Sequence, residues 1–268
     1  MTTMRKTLWD HVFTAIVALI YIFLMSPILL VVLMSFSGGE FLALPMQGVS
    51  LRWFEALFTN SRFYDAAVHS FGLALVSALV NGVIGTLAAI YVIRFAPPRL
   101  TNPLRVLMSA PLMVPEILTA IALLFFFFEI GVGNKWSVAI QIGHILVTFP
   151  YVFLNVASAL FNFDRSQEEA ARSLGANGWM TFRRVTLPAI KPGVITGCLF
   201  AFVISFDIFN ISLLLKSVGK NTLPLELFDY LRFNFDPTAA AVATVSIGLT
   251  FAAVLIVDRT VGLRSLRF

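Results

Sequence analysis

Charge is what this sequence has least of. Only 12% of its 268 residues are Asp, Glu, Lys or Arg, about half the share carried by a soluble domain. With 59% apolar residues and 27 phenylalanines, a water-solvated globule is excluded. Cysteine is nearly missing too: Cys198 stands alone inside an apolar run. That excludes a disulfide framework and a thiolate metal site, and Cys198 reads as a small buried residue. No HExxH occurs, and His69 and His144 lack ligand-like neighbours, so both read as structural. The Gly-x4-Gly-Lys-Ser/Thr loop that cradles nucleotide phosphates is absent as well. ATP and magnesium, if used, must be bound by another subunit, and no cofactor is expected in this chain. There is no internal repeat and no low-complexity tract.

What is present is a series of apolar runs. A helix needs roughly 20 residues to cross about 30 Å of hydrocarbon, and six stretches qualify, near 12–34, 66–93, 104–128, 137–161, 193–215 and 239–257. The first follows Arg5, Lys6 and Asp10 and has no small-residue cleavage site, so it reads as a retained helix. Six crossings put both termini on one side. Thirteen basic residues then fall on the side of the termini and six, including Arg52 and Lys216, on the other. The positive-inside rule makes the termini cytoplasmic. This distribution accounts for the net charge of +5 without a nucleic-acid partner. The outer loops carry two amphipathic runs. "SLRWFEALF" groups Leu51, Phe54, Leu57 and Phe58 beside Trp53, and "KSVGKNTLPLELFDYLRFNFDP" has a similar stretch; each predicts a short interfacial helix.

The polar stretch "QEEAARSLGANGWMTFRRVTLP", residues 167–188, interrupts this pattern on the cytoplasmic side. Ser166 with Glu169 three positions on has the spacing of a capping box. Gly175 and Gly178 break the helix, and Trp179, Phe182 and Val185 form an apolar stripe on a second one that Pro188 closes. A plain connector between helices takes a handful of residues. An amphipathic pair with a charged rim has the construction of a docking element.

This stretch resembles the EAA signature of ABC importer permeases, E-A-A-x3-G-x9-I-x-L-P. Glu169, Ala170, Ala171, Gly175, Leu187 and Pro188 match it, and Val185 replaces the isoleucine. "LPMQGVSLRWFEALF", "AAVHSFGLAL", "VPEILTAIALL", "SFD" and "TLPLELFDYLR" extend the similarity to most of the chain, toward the spermidine/putrescine permease subgroup. The resemblance implies an all-α membrane protein with six transmembrane helices in the type I ABC importer permease fold. Residues 1–268 would form a single permease domain with its coupling loop at 164–190. The partners implied are a cytosolic ATPase dimer, a periplasmic substrate-binding protein, and a second permease subunit (a homologue or another copy). The implied location is a bacterial inner membrane.

Two acids lie at membrane depth. Glu116 is about 18 Å along the third stretch at about 1.5 Å per residue, just after Pro111 and Pro115, and Asp207 lies in the outer half of the fifth. A carboxylate there costs roughly 2.5–3.5 kcal/mol on insertion scales, so it should face protein or a watery path. Either both line a solute pathway, or they make polar contacts to Asn81, Asn155 or Asn210. Glu129, nearer the outer surface, reads as solvated. The polyamine subgroup carries a second acid directly after this aspartate, whereas this chain has Ile208. That departure favours putrescine or a singly charged amine over spermidine and leaves another amino compound open. A self-sufficient secondary transporter would explain the acids but not the 164–190 loop. An intramembrane enzyme would need a nucleophile–base pair or metal cluster that the sequence lacks.

Overall fold

The computed structural model describes residues 8–131, 137–217 and 219–259. Arg5, Lys6, Lys135, Arg264 and Arg267, which enter the charge bias, lie outside them. Among the described residues the chain is helical, and pairing is limited to one isolated bridge between Ser37 and Val49. Two compact units form, Met1–Ser61 with Asp229–Leu249, and Arg62–Phe228 with Thr250–Phe268.

In the first unit, α1 (Leu8–Ser35) is apolar on every face, and none of its most apolar window is buried within the chain. A helix greasy all round needs an apolar surround, so bilayer or a neighbouring subunit must supply it. After α1 the chain folds back at the Ser37–Val49 bridge, closed by Gly38 N–H donating to Gly48 O at 3.2 Å. The amphipathic run at 52–59 forms α2 (Arg52–Thr59), as expected. Its Trp53 indole N–H donates to Ser37 O at 2.7 Å, Arg52 reaches Gly39 O at 2.8 Å, and the Phe54 ring packs tilted against Phe36 with centroids 5.1 Å apart.

The second unit centres on α6 (Ser137–Phe161). Around it lie α3 (Ser61–Ile90), α4 (Pro98–Met113), α5 (Glu116–Glu129), and, after α7 (Ser166–Ser173) and α8 (Gly178–Thr181), α9 (Leu187–Asp207). Val152, Phe153, Val156 and Leu160 of α6 are buried against Ile190 and Ala201 of α9. Small residues let these backbones approach: a Cβ on Gly197 would fall 2.7 Å from Val152 Cα.

Among the described residues, five helices are long and apolar enough to cross a membrane, and the α4–α5 pair makes a sixth span if taken as one. Three features differ from the sequence reading. The stretch 104–128 is broken, with α4 and α5 bent by 98°. Pro115 lacks an N–H, and its ring pushes the preceding residue out of the helical region; Val114 accordingly sits at φ −89°, ψ 130°. The stretch 193–215 is broken as well: Ile208 is extended (φ −60°, ψ 117°), and a short α10 (Asn210–Leu215) follows. Pro188, finally, closes nothing. The helix runs apolar and unbroken enough from Gly178 to Asp207 to count as one 30-residue span, through a π-helical turn at Phe182–Thr186. The wider i→i+5 turn sits just where Pro188 offers no N–H. The outer-loop run predicted after Lys216 appears as α11 (Leu223–Leu231), and the last span as α12 (Thr238–Val257).

Candidate solute cavity and coupling loop

Both helix breaks deliver an acid to the same place. Pro115 makes Glu116 the first residue of α5, where unpaired N–H groups and the helix dipole favour a negative charge. Its Oε1 also accepts from Ile211 N–H of α10 at 3.4 Å. Asp207 is the last residue of α9 and its side chain is exposed. Glu116 and Asp207 line one cavity of about 500 Å³, with Pro111, Val147, Tyr151 and Ile208 among its walls. Two of the three asparagines considered as alternative partners, Asn81 and Asn155, bond elsewhere. Asn81 donates to Ile145 O and Thr148 Oγ1, and Asn155 to Tyr151 O.

The break that carries Asp207 is braced from α6. His144 is buried and bridges it, with Nδ1 2.8 Å from Ser205 Oγ and Nε2 3.2 Å from Ser212 Oγ. The Ser212 hydroxyl also lies 2.8 Å from Ile208 O, an acceptor left free where the helix stops. His144 therefore has the structural role read from the sequence. Ile208 is itself almost wholly buried and packs with Ile211 and Leu215. Sequence reasoning missed Tyr151, since an aromatic beside Pro150 in an apolar helix carries no distinguishing signal.

The residues that match the EAA signature begin on α7 and the turn after it. Glu169, Ala170 and Gly175 are exposed, Ala171 is half-buried, and Leu174 is 90% exposed. Leu187 and Pro188 sit apart from these, at the root of α9. The expected capping box is replaced by Asp164, whose carboxylate accepts from both the Ser166 N–H (2.9 Å) and hydroxyl (2.7 Å). Those two bonds, the hydroxyl's foremost, hold the Asp164 carboxyl below its ordinary 3.8. At the other end Gly175 has φ +89°. Its N–H donates to Arg172 O at 2.9 Å, and Ala176 N–H to Ala171 O at 3.1 Å. This pair of bonds is the Schellman termination, which asks for glycine at that position. Asn177 then caps α8, accepting from Met180 N–H at 2.9 Å.

Residues 81–263 match the family described as binding-protein-dependent transport system inner membrane component. The chain belongs to that family. This permease is 32% identical over 233 residues to the putrescine transport system permease protein PotI of Escherichia coli (strain K12), covering 85% of this chain and 83% of that one. It is also 32% identical over 243 residues to the spermidine/putrescine transport system permease protein PotC of Haemophilus influenzae, covering 90% and 93%. Among solved structures, a bacterial alginate ABC transporter in complex with a pentasaccharide-bound periplasmic protein superposes with a TM-score of 0.74 at 16% identity, over 94% of this chain and 93% of that one. The permease thus has the type I ABC importer fold and serves as the inner-membrane subunit of an ABC importer, with ATP hydrolysis carried by a separate subunit.

Proposed function

We propose that this permease moves a small organic cation, putrescine or a similar amine, into the cytoplasm, driven by an ATPase seated on the 164–190 loop. The observation that carries the solute reading is the convergence of Glu116 and Asp207 on one cavity. Tyr151 in the same wall adds an aromatic face to which an ammonium group is attracted. The relatives' names, putrescine and spermidine/putrescine permeases, point to the same solute class. With Ile208 buried in an apolar cluster, the site offers two carboxylates, which suits a diamine better than a longer polyamine.

The ATPase reading rests on α7. Its exposed Glu169 and Ala170 and the bare turn at Gly175 offer a short helix to a cleft. The basic bias of the sequence supports a cytoplasmic location for this loop and both termini. The pathway is completed by a second permease subunit, and a periplasmic binding protein delivers the solute.

Co-purification tests the docking. Glu169→Lys puts a cation where the partner is built to meet a carboxylate. The assembled importer should lose its ATPase while the chain remains inserted in the membrane. Retention of the ATPase at full occupancy would refute the docking reading.

A further inference from the structure

Glu169 has an immediate neighbour of opposite habit. Glu168 turns inward, with its side chain 17% exposed, and uses both oxygens on two different elements. Its Oε2 lies 3.2 Å from Nη1 of Arg94, in the π-helical turn Tyr91–Phe95 that ends α3. Its Oε1 accepts from the Thr186 hydroxyl at 2.6 Å, in the turn that leads into α9. Arg94 is 10% exposed and its guanidinium covers the Phe163 ring at 5.5 Å. Thr186 is 6% exposed. A bond between charges partly withdrawn from water is screened less by salt than a surface pair, and losing one partner leaves the other uncompensated. The sequence gives no hint of it, because Arg94 and Glu168 are 74 positions apart.

We propose that Glu168 is a positioning residue that locks α7 to the bundle, so that α7, the end of α3 and the root of α9 move as one body. The consequence lies at the far end of α9. From Thr186 the helix runs without a stop to Asp207, about 30 Å away at about 1.5 Å per residue. A displacement imposed on α7 is thereby delivered to the acid lining the solute cavity. Without the lock, α7 would tilt on its two ends, Asp164 and Gly175, and leave α9 behind. This inference rests on the reading of α7 as the ATPase seat, but its test does not depend on that reading.

The test uses the assembled importer in nanodiscs, in a Cys198→Ser background, with spin labels at Ser173→Cys on α7 and Ala189→Cys on α9, both exposed positions. The unsubstituted importer should give one narrow distance, the same without nucleotide and after trapping with ATP and vanadate. Glu168→Gln should broaden it by about 5 Å, the play of one helical turn, and make it shift with nucleotide. The exchanged pair Arg94→Glu with Glu168→Arg should narrow it again. Thr186→Val, which keeps the ion pair, should show a smaller broadening and serves if the Glu168→Gln chain does not fold into the membrane. Narrow, unmoved distances in both Glu168→Gln and Thr186→Val would overturn the proposal. So would loss of the ATPase from Glu168→Gln alone, since Glu168 would then belong to the docking face. If the unsubstituted chain holds no ATPase, the docking reading falls, and the nucleotide-free distances still decide the lock.

Discussion

In the proposed pathway Glu116 and Asp207 meet the solute, and their surroundings say what each substitution should do. Neither is in mid-helix: one opens α5 and the other closes α9, on either side of a shared cavity. An ammonium group at about 4 Å from a carboxylate gains about 4 kcal/mol at an effective dielectric of about 20, so Glu116→Gln and Asp207→Asn should each slow amine uptake about tenfold or more. ATPase binding should persist, because α7 touches neither residue's cavity. A diamine should suffer more than a monoamine in either variant, since it has a second charge to place. Uptake assays with both amines on importers of verified subunit content check this, and undiminished uptake in both variants would make the acids structural. That these acids need a polar surround was legible from the sequence. That they share one cavity was not, because each depends on a break, and a proline or an isoleucine in an apolar run does not disclose the angle that follows it.

At the scale of the element, α7 is defined by its two ends. The Asp164 carboxylate anchors the start, and because its folded pKa is depressed, that anchor stands at neutral pH and is lost as pH falls through the folded value. Gly175 ends the helix at φ +89° with open space where a Cβ would point. Val there should therefore cost about 1–2 kcal/mol from the left-handed backbone alone, whereas Asn tolerates that backbone. If the turn enters a close cleft, Gly175→Asn should keep the permease stable yet weaken ATPase retention. Thermal melting and co-purification, run on the same variants, separate the two effects; an Asn variant that holds its ATPase as well as glycine would argue against close docking there. The spacing of "EAARSLG" and its glycine announced a helix that ends at 175. It misassigned the cap to Ser166 with Glu169, since Asp164 offers two acceptors and competes for the same serine.

For the whole molecule, the number and placing of apolar runs already indicated a multi-span helical protein, because length and hydropathy alone decide what crosses a bilayer. What they left open was how spans break and which loops fasten them. The Glu168 lock joins residues from three elements, and such contacts leave no periodic trace. ATP-driven import of an amine has one clear rival, transport by a self-sufficient carrier. Accumulation of labelled putrescine in proteoliposomes decides between them. The complete importer is reconstituted with ATP on the side of the 164–190 loop and the binding protein on the other. Accumulation that requires both, and stops when ATP is withheld, is the predicted result. Accumulation without ATP, sustained by an ion gradient alone, would contradict it.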